Sequence, residues 1–206
     1  LVPMKQLIIK FLFFSIIILP QFQTRSVEAV IPYYYKPQLK ILKDDALSIG
    51  KTAYQLLYFG QVKDSLNLAK LGVKINKSNE TLWTILAEAQ IANKLYQDAL
   101  VSLEKAHKIN PMMGQIYFAK STIYLQEKKI KKAKVSLKSG INLIPSNYKA
   151  IFQLGNIYLM EKSYEKAIKE FDNALKIKSN FWEAINNKGL AFFELDDLSL
   201  SIKNFK

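Results

Sequence analysis

The 206-residue sequence predicts an all-α fold made of successive helical hairpins. Three observations carry the prediction. From Ala46 onward a 34-residue frame recurs without slippage, opening at Ala46, Glu80, Gly114, Tyr148 and Trp182. Within that frame place 8 holds Ala53, Ala87, Ser121, Gly155 and Gly189, place 20 holds Ser65, Ala99, Ala133, Ala167 and Ser201, and place 27 holds Gly72, Ala106, Gly140 and Ala174. Every one of these side chains is small, which lets two helix axes approach closely without a clash. Finally, Pro111 and Pro145 stand at place 32, where a helix must stop before the next unit begins.

Leu1 to Pro3 precede Met4, the expected initiator, and carry no fold signal. Residues 4–29 have the parts of an export signal: Lys5 and Lys10, an apolar run from Phe11 to Leu19, then Pro20 and a Val27-Glu28-Ala29 ending. The run is shorter than the roughly 20 apolar residues that span a bilayer. A cleaved signal is the first reading, an uncleaved membrane anchor over residues 4–19 the second, and a buried helix with no targeting role the third. No cysteine follows, so a lipid-modified amino terminus is excluded. The corresponding locations are the periplasm, the thylakoid lumen or the medium, or a membrane surface. Residues 30–45 contain Pro32-Tyr33-Tyr34-Tyr35-Lys36-Pro37, too rich in proline to continue a helix, and read as an extended lead-in.

The hairpins then follow over residues 46–79, 80–113, 114–147 and 148–181, with a partial fifth over 182–206. The fourth shows the pattern most fully. Ile151, Leu154 and Tyr158 make one face of its first helix, and Tyr164, Ile168, Phe171 and Leu175 one face of its second, both at helical spacing. Elsewhere Thr52, Lys120 and Lys188 occupy place 7 and Gln90 occupies place 11, so these repeats are expected to be less stable than the fourth. A lysine at such a place can lay its methylene stem on the core and send its ammonium outward. The last repeat supplies 25 of 34 places, and a stack needs a polar terminal cap, so either the natural chain continues or the sequence is a fragment.

Ile151, Leu154, Gly155, Tyr158, Ala167, Phe171 and Ala174 resemble the tetratricopeptide pattern W-x2-L-G-x2-Y followed by A-x3-F, with isoleucine in the tryptophan slot. The resemblance covers residues 46–206 and implies a right-handed α-solenoid of helix-turn-helix repeats, preceded here by the N-terminal hydrophobic signal segment. In this family places 2, 5, 9, 12 and 13 of each first helix line a concave groove that holds a protein or peptide segment. Carried over, the groove comprises Tyr54, Tyr58, Glu88, Phe118, Thr122, Phe152, Asn156, Asn186 and Leu190, with Leu57, Thr84, Leu125, Lys149, Leu159, Glu183 and Phe193 beside them. Such an apolar and aromatic mixture suits an extended or helical peptide held by aromatic anchors. The family's clamp for chaperone carboxylate tails needs Lys and Asn at places 5 and 9, and no register here supplies them. In style, FWEAINNKGLAFFEL looks like cyanobacterial or plastid tetratricopeptide proteins, some of which assist photosystem assembly.

Composition bounds the chemistry. The chain carries a net charge of +13, and +11 once residues 1–29 are set aside, a bias toward anionic partners or surfaces. Arg25 is the sole arginine, so the guanidinium fork that reads bases and phosphates is missing beyond residue 29, and nucleic acid is not the expected partner. Lys128, Lys129, Lys131, Lys132, Lys134 and Lys138 form the densest run. They are expected on the outer face of the third repeat's second helix, as a solvated face or a patch for an anionic membrane or acidic protein. With no cysteine, a single histidine at His107, no glycine-flanked serine elbow and no phosphate-binding glycine loop, no catalytic, cofactor or metal residue is assigned. Asp44-Asp45 and Asp196-Asp197 read as helix cap and turn residues. The expected function is therefore a non-catalytic scaffold or adaptor, one form being an assembly factor for a membrane complex. The alternative is an accessory module of a larger enzyme whose catalytic domain lies beyond residue 206.

Overall fold

The first helix begins where Asp45 turns its carboxylate back on the chain, accepting from the Leu47 amide at 3.0 Å and from the Ser48 hydroxyl. Asn79 and Asn147 cap later helices in the same way, each accepting at 3.1 Å from the amide three residues on. A computed structural model describes residues 45–197 and 200–201, all within one compact unit. The expected export segment, the lead-in over 30–44 and the end of the fifth repeat lie outside the described residues.

The elements are α1 (Ala46–Tyr58), α2 (Val62–Ile75), α3 (Glu80–Ala92), α4 (Tyr96–Ile109), α5 (Gly114–Gln126), α6 (Ile130–Leu143), α7 (Tyr148–Met160), α8 (Tyr164–Ile177) and α9 (Trp182–Glu194). Odd-numbered helices are the first, or A, helices of the repeats and even-numbered ones the B helices. Each of the first four A helices packs on its own B helix, and each described B helix packs on the next A helix. Helix α1 also packs on α3, α3 on α5, and α7 on α9, so A helices meet side by side as well.

All fourteen small residues at places 8, 20 and 27 are buried, and nine of them, including Ala53, Ala99, Ala133 and Ala167, have no exposed surface. Their size is matched to what they face. Phe171, fully buried at place 24, lies so close to Gly155 that a Cβ there would sit 2.6 Å from its ring. Where place 24 is the smaller Leu103 or Leu137, place 8 is Ala87 or Ser121.

The turn inside each hairpin has one backbone solution. Gly60, Lys94, Lys128, Lys162 and Asp196 all stand at place 15, and all have positive φ, from 57° to 77°. The next amide reaches back over the turn to close the A helix, as from Ser163 to the Tyr158 carbonyl at 2.9 Å, in the manner of a Schellman motif. Four of these five residues carry a Cβ into the left-handed region, at about 1 kcal/mol each.

The departures from the repeat pattern have partners. Gln90, buried at place 11, accepts a 2.7 Å hydrogen bond from the Ser102 hydroxyl. Lys120 and Lys188 send their ammonium groups to Glu104 at 3.5 Å and Asp172 at 2.7 Å, each on the preceding B helix. Both acids stand at place 25. In the repeats where place 7 is Leu86 or Leu154, the preceding place 25 is Lys70 or Lys138 instead. His107 is half-buried with its ring edge-on to Tyr117, as expected of a helix-face residue.

Two expectations follow for urea or thermal unfolding. Gly155→Ala should lower stability by about 1–3 kcal/mol, because the ring of Phe171 has no room to yield, despite the better helix propensity of alanine. Lys162→Gly should raise it by about 0.5–1 kcal/mol by removing the left-handed penalty.

Candidate functional site: the row of A helices

An A helix with a B helix behind it and another A helix on each side has only a narrow strip left for solvent. Burial locates that strip. On α3, residues Leu82 and Thr84 to Ala87 are buried together with Ala89 and Gln90, while Thr81, Glu88 and Ala92 are only half-buried. At about 100° per residue these three lie on one side of the helix. Places 2, 9 and 13 are open also on α1 (Leu47, Tyr54, Tyr58), where Lys51 and Gln55 are exposed as well, and on α7 (Lys149, Asn156, Met160), where Gln153 and Leu159 are half-buried too. Place 9 runs down the middle. Tyr54 is 52% exposed at one end of this line, and Glu88, Thr122, Asn156 and Leu190 are half-buried along it.

Nine groove residues were expected, and the structure separates them into two sets. Tyr54, Tyr58, Glu88, Thr122, Asn156 and Leu190 lie on the strip, with Tyr58 83% exposed. Two of the three place 5 residues among the nine are engaged in packing between helices. The Phe118 ring covers Gly140 of α6, within 3.1 Å of where a Cβ would stand. The Phe152 ring packs on Phe171 and Phe181, with centroids 5.7 and 4.9 Å away. Both rings are half-buried and hold A helices to their neighbours, whereas Asn186 at the same place of the last A helix is exposed.

Polar groups on the strip differ in how they are satisfied. Thr122 donates its hydroxyl to the Phe118 carbonyl at 3.2 Å. Asn156 accepts a 2.7 Å hydrogen bond from the side-chain amide of Asn187, which ties α7 to α9. Asn187 stands at place 6, outside the groove places, and its role was visible only once the two helices were side by side. Met160, 64% exposed, is a further apolar side chain on the strip that the aromatic pattern did not single out.

Glu88 is the exception. Among the described residues it has neither a hydrogen-bond partner nor an ion pair, and burial alone pushes its carboxyl from the ordinary 4.5 up to about 7. No neighbouring charge contributes to that shift. Nor do His, Asp or Glu side chains gather anywhere among the described residues in a group that could hold a metal.

The lysine run lies on the other side. Lys131 and Lys138 are exposed on α6 while Ala133, Leu137 and Gly140 face inward. Lys134 pairs with Glu161 at 2.6 Å, Lys129 with Glu127 at 2.8 Å, and Lys128 is the left-handed turn residue. Lys132 and Lys138 lie over the rings of Tyr124 and Tyr158, at 5.8 Å in each case. No described helix is long and apolar enough to cross a membrane.

Comparison with known proteins agrees with this architecture. Family models described as TPR repeat and tetratricopeptide repeat match residues 155–196 and 114–147. No curated protein matches the chain. Among solved structures, MamA from Desulfovibrio magneticus RS-1 is 20% identical, with a TM-score of 0.66 over 79% of this chain and 92% of its own. PilF of Pseudomonas aeruginosa is 14% identical, with a TM-score of 0.71 over 78% of this chain and 73% of its own. YrrB, described as a TPR protein with an unusual peptide-binding site, is 17% identical, with a TM-score of 0.59 over 81% of this chain and 86% of its own. At these identities the likeness is one of fold.

The Glu88 carboxyl has a thermodynamic consequence. Its folded pKa lies above its unfolded value, so the folded chain holds the extra proton between about pH 4.5 and 7, and stability falls as pH rises through that window. The loss is at most about 1.4 kcal/mol per pH unit. Glu88→Gln should remove this slope, so that urea midpoints of the two proteins diverge from pH 5 to pH 7, with the variant the more stable, and run parallel above.

Proposed function

Because the chain carries tetratricopeptide repeats, we propose that it is a non-catalytic scaffold that holds an extended or helical segment of a partner protein along its A-helix strip. One observation carries the reading. The A helices leave a line of side chains, from Tyr54 through Glu88, Thr122 and Asn156 to Leu190, partly open to solvent between more exposed flanks. A segment laid along it meets aromatic and aliphatic surface with polar groups at intervals. That is the composition of a peptide groove with a few anchors. The peptide-binding site ascribed to YrrB supports the reading by analogy of fold.

The finer reading is an exported or membrane-anchored assembly factor, supported by the signal-like composition of residues 4–29. An amino-terminal mass beginning at Met4 after expression in an exporting host would contradict cleavage.

Tyr54 and Tyr58 are the anchors to remove, since their exposure makes truncation harmless to the fold, whereas Phe152→Ala would open the contact with Phe171 and Phe181. With each anchor contributing about 1–2 kcal/mol, Tyr54→Ala with Tyr58→Ala should weaken capture of partners in a cross-linking pull-down by at least about tenfold at unchanged melting temperature. Retrieval of the same proteins in the same yield would show that the strip is not the binding surface.

A further inference from the structure

Three side chains at one register of consecutive A helices stand out on the strip. They are Tyr54 on α1, Glu88 on α3 and Thr122 on α5, all at place 9, and α3 packs against both of its neighbours. We infer that this triad is a site for a lysine or arginine side chain of the bound protein segment, with Glu88 as the residue that selects it. The inference rests on the reading of the strip as a peptide groove and names the chemistry of its occupant.

Charge is the first argument. The chain carries 30 basic and 17 acidic residues, so a carboxyl group has cations to choose from, and Glu104, Glu127, Glu161 and Asp172 are each paired with a lysine. Glu88 has no such partner among the described residues, although it is half-buried on the second of the five A helices. A carboxylate removed from water without a counterion is costly unless a partner supplies one. Its neighbours in the row bring no cation: place 9 otherwise holds Tyr54, Thr122, Asn156 and Leu190.

The flanking groups suit the rest of a basic side chain. Tyr54 is half exposed, so its ring can cover the methylene stem and offer its face to the cation. Thr122 donates its proton to the Phe118 carbonyl, which leaves the hydroxyl oxygen as an acceptor for an ammonium or guanidinium hydrogen. An apolar or acidic residue at this register would leave the carboxyl buried against nothing, or against its own charge.

Binding of a cation is also linked to the proton. The carboxyl must be ionised to pair, and burial holds it near neutrality at about 7. No neighbouring charge contributes to that shift. The competent fraction therefore falls as pH drops, and affinity at pH 6 should be about tenfold weaker than at pH 8.

The test uses the full chain and a positional-scanning peptide library. The wild type should enrich lysine or arginine at one position of the bound peptides, more strongly at pH 8 than at pH 6. Glu88→Gln should lose that enrichment and its pH dependence while keeping the apolar preferences at the other positions. In addition, the ¹³C resonance of the Glu88 carboxyl should titrate at lower pH when the selected peptide is bound. Basic enrichment that survives in Glu88→Gln, or a Glu88 titration indifferent to the peptide, overturns the assignment while the groove stands. If peptide retention is unchanged by Tyr54→Ala with Tyr58→Ala, the groove reading falls and this one with it.

Discussion

The close approach of A and B helices is the constraint on which this structure depends. A helical hairpin closed by a three-residue turn, as at 59–61, brings two axes together near its loop, and only small side chains at the seam let them stay together along their length. The residues at places 8, 20 and 27 supply that seam in every described repeat, and all are buried. At this seam Gly155 faces the Phe171 ring, whereas the repeats with Ala87, Ser121 and Ala53 carry Leu103, Leu137 and Ala69 at place 24. Close-packed interiors tolerate such trades in pairs and resist them singly.

A second constraint works between repeats. Four junctions alternate between two solutions at the same pair of places: leucine at place 7 after lysine at place 25, or lysine at place 7 after an acid at place 25. Lys120 with Glu104 and Lys188 with Asp172 are the ionic pair of solutions. Each lysine lays its stem where the leucine would lie and reaches a carboxylate at the boundary with solvent. Half-exposed pairs of this kind contribute little net stability, so their effect is on which faces can meet. The lysines at place 7 of the third and fifth repeats thus belong to an alternative form of junction.

Because A helices meet side by side, each keeps only a strip of surface, and the place 9 line is the part of it most enclosed by its neighbours. The same enclosure that shapes the strip also desolvates Glu88, so a property of the array becomes a property of one carboxyl group. Apart from Lys149 on α7, the lysines named above lie off the strip, and those of the run on and before α6 pair with Glu127 and Glu161 or lie over tyrosine rings. The two faces therefore differ in kind: one is enclosed and nearly free of lysine, the other open and cationic.

Most of the fold was legible in the sequence because it is local. The period, the small residues, the cap at Asp45 and the breaks at Pro111 and Pro145 are each decided within a turn or two of helix, and every frame opening coincides with a helix start. Places 9 and 13 were likewise readable as surface. What the sequence alone could not decide depends on the distance between neighbouring helices. That Phe118 and Phe152 serve the packing of the array, that Asn187 satisfies Asn156, and that Glu88 loses its hydration all follow from side chains about 20 to 30 or more residues apart being pressed together. Periodicity places a residue on a face of its own helix, but how much water that face keeps is set by what the next helix brings against it.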